Sequence, residues 1–284
     1  MRIPIFMYQN LTQELHQKIM EWPDEEPFNN SCLHKTFFGP SGRWIIENVL
    51  STLNLTRYDE IAIITTSDET YVSICVSIPA FNHARISRVV TGNTKVVILI
   101  HEFGYVIPDL IERIRNWKEK GIIIIEDCAH LIGLKINGYT IGSFGDYAVF
   151  SLPKIIPASS GGMLKTAKNI SLPSLNQDEM DRTNSGKESA KTYLSKIQYF
   201  NNARIEKSEY IKKYFEGTYP IFEPSKICIP FFIGILTELK DKIQKGIDWV
   251  EWGATLRKDL VYIPVNPLVD LNVYKETLKV IKQS

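Results

Sequence analysis

Short, unbroken apolar runs alternate with amphipathic stretches through the first part of this chain. Glu60 to Thr66, Thr94 to Ile100 and Ile122 to Ile125 are rich in β-branched residues and bounded by polar ones. A strand covered on both faces reads this way, because neither face presents a position to water. Tyr147 to Ser151 predicts a fourth strand and Gly161 to Lys165 the start of a fifth. Helical patterns separate them. Gly42 to Leu53 carries Trp44, Ile45, Val49 and Leu50 at helical spacing, and Leu110 to Lys120 is amphipathic and stops at Gly121. Leu11 to Met20 predicts a short helix and Tyr71 to Phe81 a buried one. Strands alternating with helices predict an α/β sheet covered by helices on both faces.

The second part changes character. Residues 168–190 are rich in Ser, Asn, Asp and Lys and predict a linker or mobile loop. Ser189 to Phe215 predicts a helical piece. Strands are expected near Ile227 to Leu236 and Leu260 to Ile263, and helices at Leu239 to Lys245 and from Asn272 onward. The expected organisation is a large α/β domain over residues 1–167, followed by a helical linker region and a small α+β domain over residues 168–284. No internal repeat or low-complexity tract interrupts it.

Composition narrows the function classes. Among 284 residues, 33 Lys and Arg nearly balance 32 Asp and Glu, so the net charge is +1. That leaves no broad basic field for nucleic acid or an anionic membrane. Cys32, Cys75, Cys128 and Cys228 are scattered without a C-x-x-C pair, which predicts free thiols in a reducing cytosol. The N-terminus lacks the apolar region of a signal peptide, and no apolar run is long enough to span a bilayer, so a cytoplasmic protein is expected. His34, His83 and His101 form no metal-binding pattern. A G-x-S-x-G elbow, a phosphate loop and an intact G-x-G-x-x-G are all absent, which disfavours a serine hydrolase and an ordinary nucleotide-binding α/β protein.

The chemistry concentrates between Ile122 and Lys165. One strand runs into Glu126-Asp127-Cys128-Ala129-His130. A turn spans Gly138 to Gly145, and a second strand runs into Phe150-Ser151-Leu152-Pro153-Lys154 before Gly161-Gly162. Ligands of parallel α/β sheets bind at the carboxyl ends of the strands. Asp127, His130, Ser151 and Lys154 all fall just beyond such ends, so a carboxylate, an imidazole, a hydroxyl and an amine are expected on one rim.

This stretch resembles the DegT/StrS sugar-aminotransferase family, whose pattern runs E-D-x-A-Q/H, G-S-x-G-D, F-S, Lys, G-G. The matching residues are Glu126 to His130, Gly142-Ser143-Phe144-Gly145-Asp146, Phe150-Ser151, Lys154 and Gly161-Gly162. His101 to Gly104 is similar to the family's H-x-x-G element, and Thr70 to Ser73 to its T-F/W-x-A/S element. Ser41-Gly42-Arg43 stands where the family opens its first large helix, and Ile263 to Pro267 resembles its C-terminal I-P-x-H-P. The resemblance implies a type I pyridoxal-phosphate (PLP) fold, like that of aspartate aminotransferase, with a mainly parallel sheet in the large domain. It implies Lys154 as the Schiff-base lysine and Asp127 as partner of the pyridine nitrogen. His130 and Tyr71 would lie over the two ring faces, and Ser151 with the backbone of Gly42 and Arg43 would hold the phosphate.

Departures from the pattern are visible too. Lys154 follows Ser151 by three residues where the family has about five, an Asn-Tyr-Arg element is missing after Gly162, and Asn266 replaces the histidine of the C-terminal motif. The resemblance implies a homodimeric aminotransferase that moves an amino group from an amino acid to a keto group of a nucleotide-linked sugar, in surface-polysaccharide or amino-sugar synthesis. Lys154 argues against the family's dehydratase branch, which has a histidine at that place. The alternative expectation is a member that has kept the fold but lost transamination, serving as a binding scaffold or partner subunit.

Overall fold

The unbroken apolar run from Val96 to Leu99 is explained by its place in the middle of a sheet, where all its residues are fully buried. The computed structural model describes residues 3–28, 33–67, 72–236 and 260–283. In chain order the elements of the first part are α1 (Gln13–Met20), β1 (Lys35–Gly39), α2 (Gly42–Ser51), β2 (Glu60–Ile64), α3 (Ile74–His83), β3 (Arg85–Ser87), β4 (Thr94–Ile100), α4 (Leu110–Glu119), β5 (Ile123–Asp127), a small hairpin of β6 (Lys135–Ile136) and β7 (Tyr139–Thr140), β8 (Tyr147–Ser151), α5 (Leu152–Ile155) and β9 (Gly162–Thr166). The seven-stranded sheet has the order β1-β9-β8-β5-β4-β2-β3. Strands β2, β3, β4, β5 and β8 run parallel, while β9 is antiparallel to both β8 and β1.

Successive strand residues point to opposite faces, and the two faces have separate covers. Val96 and Ile98 pack with Ile45 and Val49 of α2 and with Val76 and Ala80 of α3. Val97 and Leu99 pack with Leu110, Ile114 and Trp117 of α4. The expected α/β architecture is therefore present. Its mainly parallel sheet places the carboxyl ends of β4, β5 and β8 side by side.

The stretch expected to be a linker, residues 168–190, holds most of a helix instead, α6 (Gln177–Tyr193). Asn176 accepts from the Glu179 backbone N–H, and the Glu179 side chain accepts from that of Asn176, a complete capping box. Thr183, Gly186, Ala190 and Tyr193 form its buried stripe, while the other faces are polar. Polar composition misled because it described those exposed faces. Apart from Tyr193, the buried stripe is built from small residues with little apolar signal.

The helix expected over Tyr71 to Phe81 is also corrected. α3 begins at Ile74, and only Val76, Pro79 and Ala80 are buried. Ile74, Ile78 and Phe81 stay 54%, 40% and 61% exposed. Thr70 and Tyr71 lie outside the described residues, as does the helix expected at Leu239 to Lys245.

Beyond α6, the helix α7 (Ile197–Phe215) leads to a three-stranded antiparallel sheet of β10 (Ile221–Phe222), β11 (Phe232–Leu236) and β12 (Leu260–Pro264). The last helix, α8 (Leu271–Gln283), lies beside α7. Ile211 and Phe215 of α7 join Ile233, Ile263, Tyr274 and Leu278 in one core, which also takes in Ile3 from the other end of the chain. Asn266 ties these ends together. Its side-chain N–H groups donate to the carbonyls of Pro4 and Phe6 at 3.0 and 3.3 Å, and its side-chain oxygen accepts from Leu268.

Candidate active site

At the carboxyl end of β5 two adjacent carboxylates have different tasks. Glu126 is fully buried and accepts backbone N–H groups from Gly142 at 3.1 Å, Phe144 at 2.8 Å and Gly145 at 2.6 Å. It thereby pins the turn that leads into β8. Gly142 has φ +87°, and a Cβ there would lie 2.9 Å from the Phe150 ring, so backbone freedom and space both require glycine. His101 contacts the same carboxylate at 3.2 Å. His101, Glu126 and Cys128 bring ligand atoms within 4.8 Å of one another. This cluster is poorly suited to a cation, because Glu126 is already saturated by N–H donors and burial pushes the Cys128 thiol well up.

Asp127, next along β5, turns toward the cavity. One of its oxygens accepts from Ala129 N–H at 2.9 Å. Burial raises its pKa, while Lys154, the Ala129 N–H and His101 pull the other way. His130 lies between Phe103 and Phe231, with ring centroids 5.4 and 4.9 Å away. Burial pushes its imidazole well below the ordinary range, and the charges of Lys154 and Arg204 act in the same direction. A neutral ring can accept from the amine, and Lys154 Nζ stands 3.2 Å from His130 Nε2.

Lys154 reaches this point from α5, a single helical turn that follows β8 directly. Ser151 ends β8 with extended backbone, the turn begins at the next residue, and Ser151 and Lys154 both line the same cavity. Burial lowers the Lys154 pKa, and Asp127 and Cys75 oppose that shift. A partly desolvated amine is a better nucleophile than a solvated one, because more of it is uncharged.

Opposite this turn, Ser41 caps α2 by accepting from Trp44 N–H at 3.2 Å. The start of α2 is drawn against β9 because Gly162 has no side chain. A Cβ there would meet Gly42 N and Ser41 C at 2.5 Å. Gly162 therefore allows the N-terminus of α2 to lie close to Ser151, giving a helix terminus suited to an anion.

These groups surround one cavity of about 530 Å³, lined by Gly42, Arg43, Asp127, His130, Ser151 and Lys154 together with residues from α3. The structure brings together every expected site residue except Tyr71, which lies outside the described residues. Phe6 and Tyr8 also line the cavity, stacked on each other with centroids 6.0 Å apart. No local motif marks them, since their position depends on the chain ends meeting. Arg204 was not singled out either. It donates to the Lys154 carbonyl at 2.6 Å from the interior of α7. Its place in a helical pattern carries no sign of such a contact.

Among the described residues no helix is long and apolar enough to cross a membrane. The fold is similar to that of the aminotransferase TlmJ from Streptoalloteichus hindustanus, with a TM-score of 0.73 at 11% identity over 99% of this chain and 98% of that one. A Streptococcus pneumoniae protein described as a sugar aminotransferase, in its PLP form, is similar at a TM-score of 0.70 and 15% identity over 99% and 98% of the two chains. In sequence, the chain is 30% identical over 147 residues to GDP-perosamine synthase of Vibrio cholerae. That match covers 46% of this chain and 39% of the relative, so the aligned part spans well under half of the curated protein's length. The family model of the DegT/DnrJ/EryC1/StrS aminotransferases matches residues 61–216, which include Asp127, His130, Ser151 and Lys154. By that match, which takes in more than half of its length, the chain belongs to the DegT/DnrJ/EryC1/StrS aminotransferase family.

Proposed function

We propose that this chain is a PLP-dependent aminotransferase acting on the keto group of a nucleotide-linked sugar, in surface-polysaccharide or amino-sugar synthesis. The observation that carries the reading is the cavity in which Lys154, His130 and Asp127 meet the N-terminus of α2. The donor set fits the cofactor. A carboxylate suits a pyridinium nitrogen, an amine suits an aldehyde, and a helix N-terminus with a hydroxyl suits a phosphate. When bound, PLP supplies an electron-withdrawing ring that acidifies the C–H bond next to the reacting nitrogen.

The chain's own residues do the rest. Asp127 would offer the ring nitrogen a negative charge that favours its protonated form. Lys154 would hold the cofactor and move a proton at the substrate carbon. His130 would pack against the ring, a role the family pattern also gives to Tyr71. Ser151 and the backbone N–H groups of Gly42 and Arg43 would hold the phosphate. Over both half-reactions the amino group of an amino acid replaces the keto oxygen of the sugar, and the donor leaves as a keto acid. The protein acts in the cytoplasm, consistent with the free thiols Cys75, Cys128 and Cys228. It works as a homodimer, for which the exposed apolar stripe of α3 is the supporting feature. A second reading, a member that binds without transferring, is favoured by the missing Asn-Tyr-Arg element.

Purified chain mixed with PLP should develop visible absorbance, and borohydride should fix the cofactor on Lys154, read by peptide mass spectrometry. Glutamate should then bleach the unreduced complex. Identical spectra for wild type and Lys154→Ala overturn the reading. Labelling of Lys154 without bleaching by any amino donor selects the binding-only alternative.

A further inference from the structure

Arg204 is 1% exposed, and burial pushes its guanidinium down to about 10, with only the Tyr274 phenol acting the other way. A buried guanidinium with no carboxylate beside it among the described residues is costly, so the contacts it keeps show what holds it there. One Nη donates to the Lys154 carbonyl at 2.6 Å. The guanidinium lies over the Phe231 ring at 5.4 Å, and Phe231 packs on His130 at 4.9 Å. His130 in turn meets the Lys154 amine at 3.2 Å. The contacts close a loop from Arg204 through Lys154, His130 and Phe231 back to Arg204.

The local backbone explains why the loop is needed. α5 is a single turn over Leu152–Ile155, and the N–H of Ile156 bonds back to Leu152. A turn this short does not hold itself in water, and its last carbonyls have no partners within the helix. The Lys154 carbonyl is one of these, and Arg204 supplies its donor from a different helix. We propose that Arg204 is a positioning residue for Lys154: by bonding the carbonyl and lying on Phe231, it sets the α5 turn so that the amine meets His130 and the cavity. The proposal rests on the reading of Lys154 as the cofactor lysine. Among the described residues, groups facing that amine include Asp127 from the end of β5, His130 beyond it and Cys75 from α3. Arg204 acts from behind, through the carbonyl and through His130.

The test uses the full chain as wild type, Arg204→Met, Arg204→Lys and Phe231→Leu, with two readouts. Competitive acetylation without PLP, read by mass spectrometry across pH, gives the titration of individual lysine amines. A PLP titration followed by visible absorbance gives half-saturation. In Arg204→Met the Lys154 amine should titrate at higher pH, because a released turn is better solvated. Half-saturation should rise about tenfold, the scale of one charge-assisted hydrogen bond. Lys207, on the same helix and itself buried, should keep its profile. Arg204→Lys should recover part of the effect, since a lysine can reach the carbonyl but lacks a planar face for the ring. If Arg204→Met does not fold, Phe231→Leu should shift Lys154 in the same direction. An unchanged Lys154 profile and half-saturation in Arg204→Met overturn the proposal. So does a change shared equally by Lys154 and Lys207 in both variants, because Arg204 would then support the fold and not the turn. If wild type never carries the reduced label on Lys154, the parent reading fails instead, and the acetylation data still decide the positioning.

Discussion

His130 sits neutral between two aromatic rings, and this makes its protonation a measurable property of the fold. Its pKa lies well below the ordinary imidazole value of 6.5, because burial and the nearby charges of Lys154 and Arg204 disfavour the cation. Below about pH 6.5 the unfolded chain therefore takes up a proton that the folded chain refuses. Stability is lost as pH falls through that window, by up to about 1.4 kcal/mol per pH unit. Asp127 acts in the opposite sense. Its raised pKa lets the folded state keep a proton the unfolded state has released, so its contribution fades as pH rises above 3.8. The His130 part can be isolated by replacement. Thermal unfolding at pH 7 and pH 5 should show a smaller loss on acidification for His130→Phe than for wild type. Equal losses would mean that His130 is not held neutral. The place of residues 127, 130, 151 and 154 on one rim was legible because strand ends are marked by a change from apolar to polar residues, whereas their roles came from the family pattern. The second role at this rim, that of Glu126 as the clamp on the Gly142–Gly145 turn, was not legible. A carboxylate that serves three backbone donors looks the same in sequence as one that serves a ligand.

At the scale of elements, the close approach of α6 to the loop before β9 offers a direct test. A Cβ on Gly186 would lie 2.7 Å from the Gly161 Cα and 2.9 Å from the Ser160 carbonyl oxygen, both backbone atoms that cannot swing aside. Gly186→Ala should therefore destabilise the protein by roughly 1–3 kcal/mol through overpacking. Gly92→Ala, with nothing within 4 Å of its Cβ, should stay within about 0.5 kcal/mol of wild type. Denaturant unfolding of the two variants measures this, and equal stabilities would show that α6 does not press on the loop as described. The central strands were legible as unbroken apolar runs, and α4 because it keeps an amphipathic period over a full element. α6 was hidden because its buried residues, Thr183, Gly186 and Ala190, are small or polar, and only the Asn176–Glu179 capping box announced a helix. β3 was missed because three residues on a sheet edge give no period to read.

Over the whole molecule, the exposed residues Ile74, Ile78 and Phe81 recur at helical spacing on α3 and form one stripe, with Ile74 reaching the cavity wall. An exposed apolar stripe beside a ligand cavity is the kind of surface that the proposed homodimer would bury. Sedimentation of the purified chain should give a dimer, and Ile78→Glu should shift it toward monomer without lowering the unfolding temperature. A wild-type chain that sediments as a monomer would remove this support for the homodimer. Two other long-range features also escape a local pattern. Ile3 enters the core built by α7 and the small sheet, and Asn266 holds the N-terminal backbone so that Phe6 and Tyr8 line the cavity. The linear order of residues was enough to specify the alternating strands and helices, the rim on which Asp127, His130, Ser151 and Lys154 gather, and the kinship those motifs carry. Periodicity and strand ends are local properties, so they survive without coordinates. Contacts between distant segments were left to the folded chain: Arg204 beneath Lys154, Gly162 beneath Gly42, and the chain ends joined at Asn266. Such contacts arise from packing across elements, and no spacing along the chain encodes which two surfaces will touch.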